Sequence, residues 1–364
     1  MNEDVNVFLE QNLEYLKNLI IEITTICSPT GYEKAKAEII LKKLNNIGAK
    51  GVHLDNVGNV IYEHNVKNKA TLYCAHIDTV FNDVKEIVPK VIDDKIYAPS
   101  VADNSMNVAG LILMVKLCIE FNIDLPIIFA FDVAEEGLGD LKGIKHIMQN
   151  LSSKISEVIA LDCSCDEIIN RGVGSKRYKV SIKTEGGHSW VHFGNLNAIA
   201  IASNIITKIY ELNVPEKTTY NVGAIEGGTT VNTIAAETEF LLDIRAEKQD
   251  NLDDLEKDII EIIKGYSNAE MTLLGNRQSG GFEISTELEE RILKVRESMG
   301  LKTEFKSAST DSNIPLSMKI PAITFGVGIG HKVHSVHEYL ELNSLERGIK
   351  QLAYFMLYKN NKKV

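Results

Sequence analysis

His76, Asp103, Glu135, Glu136, Asp162 and His334 stand in that order along the chain, each where a short apolar run stops. Leu72 to Ala75 lead into His76, Ile127 to Phe131 lead toward Glu135 and Glu136, and Val158 to Leu161 lead into Asp162. Such runs read as buried strands, and the carboxyl ends of strands in an open α/β sheet border the crevice where ligands bind. Imidazoles and carboxylates delivered to one crevice are the ligand types of a two-metal hydrolase site. Glu135 and Glu136 weigh most. Two adjacent acids just after the apolar strand Pro126 to Val133 are costly unless something cationic compensates them, and such a pair divides labour, one holding metal and one moving a proton.

Each residue also has a blander reading. His76 is followed two residues later by Asp78, a carboxylate able to fix the tautomer of a ligand imidazole; a lone histidine after a strand is more often a satisfied core or surface residue. Asp103 opens an expected helix, where a carboxylate commonly serves as N-cap. Histidines 331, 334 and 337 crowd one loop, and each alone reads as solvated. The bland readings would have to hold independently at six places, which favours the set over any member. Cys163 and Cys165 follow Asp162 with one residue between them, whereas structural thiolate sites favour a wider gap between cysteines, and they are left out.

The 364 residues exceed what one hydrophobic core usually accommodates, so two domains are expected, and 44% hydrophobic content is ample for packed cores. A formal charge of -11 without a long basic run argues against nucleic acid or an anionic membrane surface as partner. The acidic start and the amphipathic helix expected over Val5 to Ile26 do not make a signal peptide. Leu111 to Ile119, the most apolar stretch, is too short to span a bilayer. Five cysteines without framework spacing suit a reducing compartment, and a cytoplasmic protein is expected.

Helical and strand patterns alternate from about residue 13 to 164, with helices near 13–26, 32–47, 104–121 and 139–150 and strands near 58–64, 70–76, 126–132 and 157–162. From about 172 to 283 the order becomes strand, helix, strand, strand, helix, strand, the ferredoxin-like pattern. After Gly280-Gly281 the α/β character returns, with a helix near 286–299, strands near 303–307 and 321–326 and a closing helix from about 341 to 358. For His334 to join the other five, the middle module must be an insertion in a discontinuous first domain. The expected division is about 1–171 with 284–364, and 172–283.

Ser28-Pro-Thr-Gly-Tyr-Glu33, Ala75-His-Ile-Asp-Thr79, Ala102-Asp-Asn104, Ala134-Glu-Glu-Gly137, Leu161-Asp162, Gly186-Gly-His-Ser189, Asp243-Ile-Arg245, Ser309-Thr-Asp311 and His334-Ser-Val-His-Glu338 carry a resemblance over nearly the whole chain. In order and spacing the sequence resembles the co-catalytic zinc exopeptidases and deacylases that include peptidase T, acetylornithine deacetylase and succinyl-diaminopimelate desuccinylase, peptidase family M20. The resemblance implies an α/β/α catalytic domain with an inserted ferredoxin-like lid and dimerisation domain.

Carried over position by position, it implies that Asp103 bridges two divalent metal ions, with His76 and Asp162 completing one and Glu136 and His334 the other. Zinc is expected, with cobalt or manganese as substitutes. Asp78 would orient His76, Glu135 would be the general base, and His188, from the lid of a neighbouring subunit, would donate to the scissile carbonyl oxygen. Arg245 and Asn232 would grip the substrate's free carboxylate. The implied activity is hydrolysis of short peptides from one end, with an N-acyl amino acid deacylase as the first alternative and a non-catalytic metal-binding relative as the second. Aspartate at 162 resembles the di- and tripeptidases, whereas the deacetylase, desuccinylase and carboxypeptidase branches have glutamate there, and so leans toward short peptides. Two departures stand out. Asn104-Ser105-Met106 replaces the more acidic or basic run of many relatives while leaving room for their cis peptide after the bridging aspartate, and Trp190 stands where a small residue is usual.

Overall fold

Ala70–His76 and Ile127–Asp132 are buried along almost their whole lengths, a pattern that strands reach only when both faces of their sheet are covered. They pair in parallel with His76 opposite Asp132. The structure is a computed structural model and describes residues 3–358. Two compact units divide the chain: Met1–Gly172 with Gly281–Val364, and Val173–Gly280.

The first unit is built on an eight-stranded sheet in the order His53–Leu54, Val60–His64, Ile127–Asp132, Ala70–His76, Ile155–Ala160, Ala322–Thr324, Ile168–Gly172, Phe305–Ala308. The four strands from Ile127–Asp132 to Ala322–Thr324 are parallel, so their carboxyl ends open on one edge. Helices Leu13–Thr24, Lys34–Ile47, Met106–Glu120, Glu287–Ser298 and Leu345–Leu357 fill one face; Lys142–Leu151 and Asn313–Ser317 cover the other. This is an α/β/α sandwich. Met106–Glu120 is buried on nearly every side, and Gly110 in its middle lets Val327 approach, since a Cβ there would lie 2.9 Å from the valine methyls. The stretch Val101–Glu120 is apolar and long enough to cross a membrane, yet it is mostly buried in this unit. A second, four-stranded sheet joins Lys90–Ile92, Lys95–Tyr97, Tyr339–Glu341 and Ile329–His331.

In the second unit Gly174–Lys183, Ala198–Tyr210, Thr218–Gly227, Glu237–Ala246, Gln249–Lys264 and Ala269–Arg277 give the β-α-β-β-α-β order. The sheet runs Thr218–Gly227, Glu237–Ala246, Gly174–Lys183, Ala269–Arg277, antiparallel throughout. Alternate residues Thr238, Phe240, Leu242 and Ile244 face the two helices, the period-two burial of a sheet covered on one side. Asn197 caps the first helix by accepting the backbone N–H groups of Ile199 and Ala200.

Several sequence expectations need correction. The helix expected over Val5 to Ile26 is two, Glu3–Gln11 and Leu13–Thr24; at the break the Asn12 side-chain amide donates to the Phe8 carbonyl at 2.8 Å. The helix expected from 104 begins at Met106, and Asp103 (φ -118, ψ 87) is not its N-cap. The Asp103-Asn104 peptide is cis. The closing helix starts at Leu345, because Tyr339–Glu341 is spent on the second sheet. The sequence pattern shows neither that sheet, whose strands of three residues are too short for a period, nor Ile168–Gly172, where Asn170 and Arg171 interrupt the apolar run.

Candidate metal centre

Asp103 sits between two histidines drawn from distant parts of the sequence. His76 Nε2 lies 3.1 Å from one of its oxygens and His334 Nε2 lies 2.8 Å from the other. His334 Nε2 is also 3.0 Å from Glu136 Oε1. Ligand atoms of His76, Asp103 and Asp162 lie within 4.8 Å of one another, and so do those of Asp103, Glu136 and His334. Asp103 is common to both triads, the position of a carboxylate that bridges two cations. Glu135 belongs to a third group with His76 and Glu136.

Strand ends explain the convergence. His76 closes its strand, Glu135 and Glu136 follow Ile127–Asp132, and Asp162 follows Ile155–Ala160. Ala134, Cys163 and His334 adopt φ of 57, 59 and 61, a left-handed conformation rare for residues with a Cβ and concentrated at functional sites. These turns aim the neighbouring side chains into the crevice. Asp78 is fully buried. Its carboxylate lies 3.5 Å from His76 Nδ1, and its oxygens accept the backbone N–H groups of Glu135 and Glu136, each at 2.9 Å, and the Thr30 hydroxyl at 2.8 Å. Asn104 donates to the Leu161 carbonyl at 2.9 Å and accepts from Asn107, whose own oxygen takes the Val327 N–H. The amide at 104 thus ties together loops that carry ligands.

Burial works to raise the Asp103 carboxyl, but hydrogen bonds from His334 and His76 outweigh it and hold it below the usual range. Glu136 is pushed up to about 7 by burial, with the charges of Asp103 and Glu135 adding to it. Asp162 rises to about 6, again by burial first and Asp103 second. Hydrogen bonds to Asp103 and Glu136 lift His334 to about 11. The crevice therefore attracts positive charge, which two divalent cations would supply. Imidazole and carboxylate donors at these spacings fit such a pair: His76 and Asp162 can complete one cation, Glu136 and His334 the other, with Asp103 between. Cys163 and Cys165 belong to neither triad.

The three substrate-side candidates lie in the second unit. His188 pairs with Thr233 in a short ladder, and Ser189 N–H donates to the Asn232 carbonyl at 3.0 Å, so His188 and Asn232 share one corner. His188 Nδ1 accepts the backbone N–H groups of Trp190 and Val191. The neutral ring then carries its proton on Nε2. Arg245 is not at that corner. Asn232 precedes the start of Glu237–Ala246 while Arg245 stands near its end, about 25 Å along the strand at 3.3 Å per residue. The pairing of Arg245 with Asn232 on one substrate carboxylate is therefore not made within one chain. Trp190 is 86% exposed and Phe193 91%, so Trp190 does not pack its own domain.

Sequence reasoning passed over Asp132 and gave Asp311, though it lies in a quoted motif, no role. Both are buried; apart from each other's carboxyl, neither Asp132 oxygen nor Oδ1 of Asp311 has a hydrogen-bonding partner, and together with Cys74 they form a further tight group. Burial pushes Asp132 up to about 7 and Asp311 well above its ordinary value. The signal was present, an acid closing the run Ile127 to Phe131, but the neighbouring Glu135 and Glu136 overshadowed it.

Residues 72–358, which include every ligand candidate, match the family model for peptidase family M20/M25/M40. The chain belongs to this family. It is similar to an uncharacterized metallohydrolase of Methanocaldococcus jannaschii, 26% identical over 93% of this chain and 96% of the relative. Among solved structures it is similar to a tripeptidase of Staphylococcus aureus (TM-score 0.79, 23% identity, 94% and 97% of the two chains) and to a dinuclear metal-binding peptidase of Bacillus subtilis (TM-score 0.66, 15% identity, 95% and 98%). The chain thus has the M20 fold, a large mixed sheet with a smaller antiparallel insert, and is an M20 metallohydrolase of the exopeptidase or deacylase kind.

Proposed function

We propose that this M20 protein removes residues from one end of short peptides, with Asp103 bridging two divalent cations, zinc first among them. The sharing of Asp103 between the His76/Asp162 and Glu136/His334 triads carries this reading. When bound, such cations supply Lewis acidity and bring the pKa of water from about 15.7 toward about 7. Glu135 takes the proton of the attacking water and hands it to the leaving amine nitrogen; its backbone is held by Asp78, which also faces His76. His188, with Nε2–H directed away from its Nδ1 acceptor, donates to the oxygen that gains charge. Asp243 holds Arg245 through Nε at 2.6 Å, an orientation that offers the two terminal nitrogens as a fork for a carboxylate.

Because His188 and Asn232 stand at the opposite end of a strand from Arg245, one substrate engages all three only when two chains contribute. The proposal therefore includes a homodimer formed through the inserted domain. The preference for peptides is supported by aspartate at 162 and by the similarity to the tripeptidase.

The deciding experiment measures metal content, then hydrolysis of dipeptides, tripeptides and N-acetyl and N-succinyl amino acids with and without a chelator. Chelator-sensitive release of amino acids from peptides is expected. Faster cleavage of the acyl amino acids would replace this reading with a deacylase, and bound metal without turnover of either class would replace it with a binding protein.

A further inference from the structure

Glu338 is fully buried, four residues after His334, and its carboxylate meets backbone N–H groups. Oε1 accepts from Ala102 at 2.7 Å and from Asp103 at 2.9 Å, and Oε2 accepts from Ser100 at 3.0 Å. The donors lie more than two hundred residues earlier in the chain, in the turn that carries the candidate bridging carboxylate. The same short segment is fastened to that turn twice more. Ala98 N–H donates to the Glu338 carbonyl at 3.1 Å, and Tyr339 pairs with Tyr97 in the second sheet. Gly330, on the adjoining strand, lies so close to Ala102 that a Cβ there would come within 2.3 Å of the alanine methyl.

We infer that Glu338 is the positioning residue of the paired-cation centre: by gathering three N–H groups of the Ser100–Asp103 turn, it fixes Asp103 at a set distance from His334. The inference rests on the two-cation reading of the site. A carboxyl group suits the task because the three converging N–H groups are accepted at both of its oxygens, whereas an amide offers only one acceptor oxygen. Glutamine fills the same space, but its NH2 group would face a backbone donor. Glu338 belongs to none of the candidate ligand groups; it acts through Asp103.

The test is Glu338→Gln, compared with wild type and with the control Glu341→Gln, which alters the neighbouring strand at the carboxylate facing His331. Zinc and manganese dissociation constants are measured by competition with a chromogenic chelator, and the fold of the metal-free proteins by circular dichroism and melting. Glu338→Gln is expected to weaken both cations about 10- to 100-fold, the range for groups that orient ligands. Both weaken because Asp103 is shared; the metal-free fold persists and KM at saturating metal stays near wild type. Glu341→Gln should bind as wild type does. Dissociation constants for Glu338→Gln within twofold of wild type overturn the assignment, as does equal weakening in Glu341→Gln. Should Glu338→Gln fail to fold, Glu338→Asp, which keeps the charge but withdraws it by one methylene, decides by the same constants. Wild-type protein that binds fewer than two cations sinks the paired-centre reading itself, a result separate from the behaviour of Glu338.

Discussion

Asp78 Oδ2 accepts the backbone N–H of Glu136 at 2.9 Å while Oδ1 of the same carboxylate lies 3.5 Å from His76 Nδ1. One buried acid thus faces the imidazole of one candidate ligand and anchors the turn that carries the candidate base and a second candidate ligand. Asp78→Asn keeps the shape but turns one acceptor oxygen into an NH2 group that opposes either a backbone N–H or the Thr30 hydroxyl. Expected is a fall in kcat/KM and in metal affinity of about 10- to 100-fold, read by steady-state kinetics and chelator competition. Loss of kcat/KM with metal affinity intact would separate the turn-anchoring role from the imidazole one.

Proton traffic on metal binding follows from the histidines. His334, raised to about 11 by Asp103 and Glu136, and His76, raised well above its ordinary value although burial opposes it, both carry protons at pH 7 without metal. Ligation needs neutral imidazole, so cation binding must expel them. Calorimetry at pH 7 in buffers of different ionisation enthalpy should report net proton release; a binding enthalpy independent of buffer would contradict it.

The same shifts set the pH response of metal-free protein. For His334 the folded value lies above the unfolded 6.5, so its stabilisation is full below pH 6.5 and is lost as pH climbs toward about 11. Glu136, raised from 4.5 to about 7 mainly by burial, removes stability over that lower interval as pH rises. Both act in one direction. The melting temperature of metal-stripped protein should fall from pH 5 to pH 9, and saturating zinc should flatten the profile.

Asp311 and Asp132 form a buried acidic pair beside Cys74, on the face of the sheet covered by Lys142–Leu151 and Asn313–Ser317. With the Asp311 carboxyl raised well above 3.8 by burial and then by Asp132, the folded state is penalised as pH rises above 3.8 toward its folded value. Asp311→Asn removes a buried ionisable group and places a permanent amide donor beside Asp132, which in the wild type receives a proton only from a protonated Asp311. Urea unfolding of metal-free protein should show the variant more stable than wild type at pH 8 by about 1–3 kcal/mol, the cost of an unsatisfied buried polar group, and equal to it at pH 4.

Much of this site was legible because its chemistry sits at the ends of apolar runs: His76, Glu135, Glu136 and Asp162 stand at or just past strands whose closing stretches, residues 72–75, 127–131 and 158–160, are buried and apolar. What stayed hidden depends on partners far away in sequence. Glu338 belongs to a recognised motif, yet its three N–H partners come from the other end of the chain. Asp132 looks like any strand-closing polar residue until Asp311 is brought against it. Arg245 and Asn232 were grouped by likeness, although a strand of ten residues holds them apart; strand rise alone contained that answer.

That separation yields the sharpest prediction. If His188 of one subunit serves the site that contains Arg245 of the other, His188→Ala and Arg245→Ala proteins should each be nearly inactive, with losses of about 100- to 1000-fold for the oxyanion donor. Unfolding and refolding an equal mixture gives mixed dimers as half of the population. In each mixed dimer one site carries both substitutions and the other carries neither, so activity should return to about a quarter of the wild-type level. A mixture no more active than its two components would show that His188 and Arg245 serve the same chain or that the chain acts alone, and would remove the composite site from the mechanism.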